Sequence, residues 1–293
     1  LKYFPNSKFV FAHPFIENPE AQLQKNDIEI INTTATYSNY ELKNVGQIFY
    51  THDITSQKFY HFGSDPTTLG KRKLEADFDP IESALKKGGS VLIYVPKSHI
   101  YSKQIYGQFQ KYISMCQPID DPIAIKMIDE LKDYIGASTT DKLFYNSDML
   151  EKLRCGIVVH HGSMPLTARL ILEHFTQQGF CKICFATSTL EQGINMPFDV
   201  VYLDRFEESK TLSVKNLIGR AGRSTAKPIF DFGSVILRPN AMSRFRKVYQ
   251  KKNILSSKSR LDITDDKMDE KYEEYKEAIK TGEFSDEYNL TNK

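Results

Sequence analysis

The chain is punctuated by short runs in which nearly every residue is apolar. The clear ones are 91–95 (VLIYV), 156–160 (GIVVH), 182–186 (KICFA), 200–203 (VVYL) and 235–237 (VIL). A strand with one wet face alternates apolar and polar residues, whereas a strand covered on both faces does not. These runs therefore predict buried parallel strands. Several of the segments between them carry helical periodicity. In 166–178, Ala168, Ile171, Leu172 and Phe175 fall at i, i+3, i+4 and i+7, one helical face. Ser163 reads as the cap of this helix, with Pro165 in its first turn. Strand, helix and strand in series predict an α/β fold with right-handed crossovers.

Ahead of residue 91 the pattern changes. Residues 9–15 are apolar and 17–25 polar; 28–31 and 47–50 read as strands, and 58–62 pairs with the latter as a hairpin. A turn-rich linker covers 65–73, and a boundary is placed near Asp79. Three parts result: 1–78, ending in a linker and hairpin; 79–240, the main domain, with a mostly helical insertion at about 101–153; and 241–293, a charged helical extension. That extension is basic over 244–252 and acidic-rich over 262–287, with a surface helix expected at 267–280. The first residue is Leu1 and 1–10 already reads like domain interior, so the chain is expected to be a piece of something longer.

Composition narrows the function classes. Lys and Arg total 39 against 37 Asp and Glu, so any contact with nucleic acid must be local. No stretch approaches the ~20 apolar residues of a membrane span, and no membrane partner is expected. Of the four cysteines, Cys181 and Cys184 form a CxxC inside an apolar run, with no second pair to complete a zinc site. They read as buried thiols in a reducing, cytoplasmic setting, with no metal bound.

Chemistry concentrates in four blocks. In NLIGRAGR (216–223), Arg220 and Arg223 lie three apart and share one face if the turn is helical. Gly219, Ala221 and Gly222 leave room for a close neighbour. Two guanidinium forks on a small-residue platform suit a polyphosphate; the competing reading is a solvated basic turn. In FATSTLEQGINMP (185–197), Thr187, Ser188 and Thr189 fall where a strand ends, the usual place for ligand contacts in open α/β sheets. Their hydroxyls and amides suit backbone phosphates, and the alternative is a connection that merely caps a helix. Gly193 permits close backbone approach and Asn195 offers a polar end toward a sugar. YVPKS (94–98) again ends a buried strand in Lys97 and Ser98. In VVHHGSMP (158–165), two adjacent histidines on a strand point to opposite faces, which argues against a shared metal.

In order and spacing these blocks resemble the C-terminal lobe of superfamily 2 helicases, most closely the superkiller-like DExH branch. YVPKS, VVHHGSMP, FATSTLEQGINMP and NLIGRAGRS match helicase motif four, the block after it, motif five and motif six. The resemblance runs from about residue 88 to 238. It implies a RecA-like domain: a mostly parallel sheet flanked by helices. It also implies an ATP-dependent helicase or translocase whose Mg²⁺-ATP lies between this lobe and a first RecA-like lobe of the same polypeptide. Arg220 and Arg223 match the arginines that reach the γ-phosphate. Gly193, Asn195, Asn216 and Gly219 match nucleotide-side positions. Ser98, His161, Gly162, Thr187 and Ser188 match or adjoin positions near single-stranded DNA or RNA, and Arg169, which sits where related helicases carry an arginine, is expected on the same nucleic-acid side. The family usually has Gln where this chain has Asn216, one methylene shorter.

The chain contains no GxxxxGK[ST] stretch and no DExH run, the phosphate cradle and Mg²⁺ residues that belong to the first lobe. Residues 9–19 resemble the end of such a lobe. By itself the chain is expected to be inactive as an ATPase. Two other readings stand beside the motor. One is a non-catalytic RecA-like module that binds nucleic acid or protein. The other is a dinucleotide-binding oxidoreductase, disfavoured because Gly219 and Gly222 make GxxG and not GxGxxG.

Overall fold

Continuous burial marks the strands that the apolar runs predict, and it reflects helices on both sides of one sheet. The structure is a computed structural model that describes residues 21, 46–62, 74–136, 147–187, 196, 198–222 and 232–254. In chain order the strands are β1 (Gln47–Asp53), β2 (Lys58–His61), β3 (Leu74–Glu75), β4 (Val91–Tyr94), β5 (Ile157–His160), β6 (Ile183–Ala186), β7 (Val200–Leu203) and β8 (Gly233–Leu237). The helices are α1 (Pro80–Lys86), α2 (Lys97–Tyr101), α3 (Gln104–Gln108), α4 (Gln110–Ile113), α5 (Pro122–Tyr134), α6 (Asp148–Arg154), α7 (Leu166–Gln177), α8 (Thr211–Ile218) and α9 (Met242–Gln250). Glu41–Lys251 is one compact unit, and Leu1–Tyr40 with Lys252–Lys293 is a second. The strands expected at 9–15 and 28–31, the linker at 65–73, the first-lobe likeness at 9–19 and the helix at 267–280 lie outside the described residues.

The sheet order is β3-β2-β1-β8-β7-β4-β6-β5. From β1 to β5 every neighbouring pair is parallel, while β2 and β3 add an antiparallel ribbon at the β1 edge. The hairpin read at 47–62 is thus hydrogen-bonded into the same sheet as the later strands, through β1 and β8. The α/β, RecA-like expectation holds.

Alternation sorts the side chains to two cores. Leu92, Val158, Cys184, Val201 and Val235 face one side, under α5, α7, α8 and α9. Ile93, Val159, Phe185, Tyr202 and Ile236 face the other, under α1 to α4. The segment read as an insertion therefore supplies helices to both faces. Helix α7 buries Ala168, Ile171, Leu172 and Phe175, the face read from its periodicity. Its N-cap is Pro165, with no side-chain cap; the Ser163 hydroxyl instead accepts from Lys97. The basic run at 244–252 forms most of an amphipathic helix, α9, whose Phe245 and Val248 are fully buried. Asp79, the expected boundary, caps α1 by accepting from the Ile81 and Glu82 amides at 2.9 and 3.1 Å, and its other oxygen takes Lys111 and Tyr112. Cys181 and Cys184 are buried thiols, and burial raises the Cys184 pKa well above its usual value.

Candidate nucleotide and nucleic-acid interface

Parallel register lines up the strand ends. Across the sheet, His160, Ala186, Tyr94, Leu203, Leu237 and Thr51 pair in one row. One residue further on, the chain presents His161, Thr187, Val95, Asp204, Arg238 and His52 at the same edge. Ligands of open α/β sheets bind at this carboxyl edge.

At the β4–β6–β5 end, the blocks read from the sequence come together. Ser98 is exposed in the first turn of α2, and Gly162 is exposed just past β5. The His161 ring lies 5.6 Å from Tyr101, and Lys97 Nζ sits 5.6 Å over the same Tyr101 ring while donating to Ser163. Burial and the nearby Lys97 charge lower the His161 pKa, so it is neutral at pH 7. Lys97, Tyr101 and Ser163 are partners that sequence reasoning did not single out as site residues, although Lys97 stands next to Ser98 at a strand end. Thr187 is buried, and its amide donates to the His160 carbonyl at 3.2 Å. That amide is therefore spent on the sheet and unavailable to a phosphate. Ser188 lies outside the described residues.

The two histidines face opposite ways, as their spacing requires. His160 is fully buried on the first face, with Nε2 3.0 Å from Glu173 Oε1 on α7. Burial is the chief cause of its lowered pKa; the charges of Arg169 and Arg220 add to the effect, and Glu173 opposes it. Arg169 thus shares a cluster with Arg220 around His160, on the face away from Ser98 and His161.

Arg220 does not occupy a helical turn. Helix α8 stops at Ile218, Gly219 is its C-cap, and Asn216 is half-buried within it. Arg220 follows in a turn and is 6% exposed, which removes the solvated-turn reading for this residue. The turn is stitched to Phe198, just past the 185–197 block. Phe198 N donates to Arg220 O, and Gly222 N donates to Phe198 O at 2.7 Å. Two glycines make this possible. Gly222 has φ +78°, left-handed backbone that favours glycine. A Cβ on Gly233 of β8 would meet the Ala221 carbonyl carbon at 2.3 Å and Gly222 N at 2.4 Å. Gly193, Asn195 and Arg223 lie outside the described residues, as does Arg223's relation to Arg220.

Residues 124–225 match the helicase conserved C-terminal domain family. The ATP-dependent DNA helicase Hel308 of Caldivirga maquilingensis is 25% identical over 164 residues, 52% of this chain and 20% of that protein. Hachiman protein HamB of Bacillus cereus is 38% identical over 84 residues, 27% of this chain and 8% of that protein. Superkiller complex protein 2 of Mus musculus is 32% identical over 129 residues, 40% of this chain and 10% of that protein. The chain therefore spans a fifth or less of each of these relatives.

Two outcomes follow, one from the packing of the arginine turn on the start of β8 and one from the charge at the carboxyl edge. Gly233→Ala forces a methyl group into the backbone of the arginine turn. It should lower stability by about 1–3 kcal/mol, the usual cost of overpacking; an unchanged denaturation midpoint would show that the turn is not held against β8. The second outcome concerns His52, which is 4% exposed. Burial, helped by Arg238 and opposed by Asp79 and Asp53, lowers its pKa from 6.5 to about 4. The unfolded chain then takes a proton below pH 6.5 that the folded chain refuses until about pH 4. The contribution is complete above pH 6.5 and is lost as pH falls toward 4. The melting midpoint should drop through that window, less steeply in His52→Gln; equal slopes would contradict the assignment.

Proposed function

We propose that this chain, which carries the C-terminal lobe of a superfamily 2 helicase, is the second half of a motor that couples ATP hydrolysis to movement along single-stranded DNA or RNA. The observation that carries the reading is the backbone stitch between Phe198, which leads into β7, and the Arg220 turn. It joins the residue just past the 185–197 block to the second half of the 216–223 block. A change at Arg220 is thereby tied by backbone bonds to the chain that follows the 185–197 block, the kind of coupling that a stepping motor requires.

On this reading Mg²⁺-ATP lies between this lobe and a first RecA-like lobe that supplies the Mg²⁺ ligands. The residues present fit a polyphosphate: the guanidiniums of Arg169 and Arg220 concentrate positive charge around His160, enough to help keep its ring unprotonated. When bound, ATP supplies the phosphoryl group whose transfer to water drives the cycle. Gly193, Asn195, Asn216 and Gly219 approach the nucleotide. Arg220 and Arg223 oppose the charge that develops on the terminal phosphate, an effect worth roughly 10³–10⁵ in rate for arginine fingers. Arg169, expected from the sequence on the nucleic-acid side, is read here with them, because its charge acts on the same His160 ring as that of Arg220. Lys97, Ser98, His161, Gly162 and the Thr187 and Ser188 hydroxyls hold strand phosphates at the ends of β4, β5 and β6. Such contacts position the strand without reading its sequence. None of the described helices is long and apolar enough to cross a membrane. The four free thiols suit a reducing compartment, and the reading includes a cytoplasmic location.

The test is made in the complete two-lobed protein. Arg220 is buried, so Arg220→Ala would disturb packing as well as chemistry; Arg223→Ala and Arg220→Lys are the cleaner variants. Each should cut kcat for ATP by orders of magnitude and leave strand affinity nearly unchanged, because a finger acts on charge that develops in the transition state. An ammonium cannot reproduce the guanidinium fork. Normal turnover in both variants would defeat the motor reading.

A further inference from the structure

The β7–β8–β1 end of the same sheet edge carries a cavity of about 750 Å³ that the helicase blocks do not account for. Its lining includes Asp204, Arg238 and His52, consecutive members of the strand-end row, together with Arg205, Arg244 and Asn240. The Asp204 side chain is 3% exposed. Its Oδ1 accepts from Arg238 Nε at 2.7 Å, from Arg238 Nη2, and from Gln108 Nε2 at 3.4 Å, while His99 Nδ1 stands 3.5 Å from Oδ2. Among the described residues Asp204 is the only carboxylate lining the cavity, and Arg238 already neutralises it. Arg205 and Arg244 are both exposed there, and Arg244 spends one Nη1 on the Phe206 carbonyl at 3.2 Å. Three guanidiniums facing one carboxylate leave the cavity with a surplus of positive charge.

His52 adds a second, independent sign. Its Nδ1 lies 3.1 Å from Tyr202 Oη and its ring stacks on Phe59 at 4.3 Å, so its orientation is fixed. Its Nε2 is buried without a hydrogen-bond partner among the described residues. A buried, unmet ring nitrogen costs stability unless something completes it. The Tyr202 hydroxyl can donate to Nδ1, and in that tautomer the neutral ring carries its proton on Nε2, a donor suited to an oxyanion. The Asp204–Arg238 pair has a use in the same terms. A buried ion pair contributes little net stability, but it holds the Arg238 fork in place.

We propose that this cavity is a phosphate-binding site, distinct from the nucleotide side at Arg220 and from the strand contacts at Lys97 and His161. Arg205, Arg244 and Asn240 form its mouth, and Arg238 and His52 its interior. The phosphate comes either from a free nucleotide or from the backbone of a nucleic-acid strand; the second source rests on the motor reading and the first does not.

The test uses the chain as it stands, with pyrophosphate and a short oligothymidylate as separate probes followed by calorimetry and anisotropy. Arg205→Gln/Arg244→Gln removes two exposed guanidiniums and should leave the melting midpoint near that of the parent chain. Lys132→Gln, on α5, is the control. Pyrophosphate should bind the parent chain and the control equally, and the double variant roughly tenfold or more weakly, the scale of lost charge-assisted hydrogen bonds. A parallel loss for oligothymidylate assigns the phosphate to a strand; an unchanged strand affinity assigns it to a free phosphate group. Pyrophosphate binding with no measurable binding of oligothymidylate would sustain the cavity and count against the motor reading. Failure of pyrophosphate to bind the parent chain, or equal binding to parent and double variant, overturns the proposal.

Discussion

Everything proposed for this chain depends on the parallel hydrogen-bond ladder that runs from β1 through β8, β7, β4 and β6 to β5. In a parallel sheet the strands share a direction, so all their carboxyl ends fall on one edge. The ladder also fixes which residues stand side by side there. His161, Thr187, Val95, Asp204, Arg238 and His52 are scattered over most of the described chain. Backbone pairing nevertheless sets them in a single file, with side chains on one face and helices α1 to α4 packed beneath. A one-residue slip in any strand would turn its member of the file to the other face. The full burial of β4 to β7 on both sides opposes such a slip, because it would exchange the packing of two cores at once.

The first face carries the second constraint. His160, Glu173, Arg169 and Arg220 place charge where the sheet meets α7 and the arginine turn. Buried charge is costly unless it is paired. Glu173 brings a carboxylate to this cluster through its bond to His160, and the ring stays neutral between carboxylate and guanidiniums. Gly233 and Gly222 let the turn lie flat against β8 and Phe198. Small residues in the arginine block therefore serve backbone packing within the lobe, whatever else approaches from outside.

The fold was largely legible in the sequence. Strands covered on both faces betray themselves as unbroken apolar runs, and α7 shows its buried face in plain 3.6-residue periodicity. The grouping of Ser98, His161 and Thr187 was legible too, since each lies within three residues of the end of such a run. Pairing was not. Nothing local in 47–53 says that β1 lies beside β8, and Asp204 and Arg238 are 34 positions apart, so neither their ion pair nor the cavity above it leaves a sequence signal. Local chemistry also misled in two places. Ser163 reads as a cap, but Lys97 takes its hydroxyl. Arg220 reads as one face of a helical turn, yet α8 ends at Ile218, because the chain must bend there to bond Phe198.

The central claim is that the carboxyl edge of β4, β6 and β5 is where this lobe meets a nucleic-acid strand. Photo-crosslinking of the 293-residue chain to a bromodeoxyuridine-containing single strand, followed by peptide mapping, tests it most directly. The account predicts adducts in the peptides that carry Lys97 to Tyr101 and His161 to Ser163, lost as salt rises because the grip is on phosphates. Adducts confined to the opposite, amino-terminal edge of the sheet, or crosslinking indifferent to salt, would contradict it.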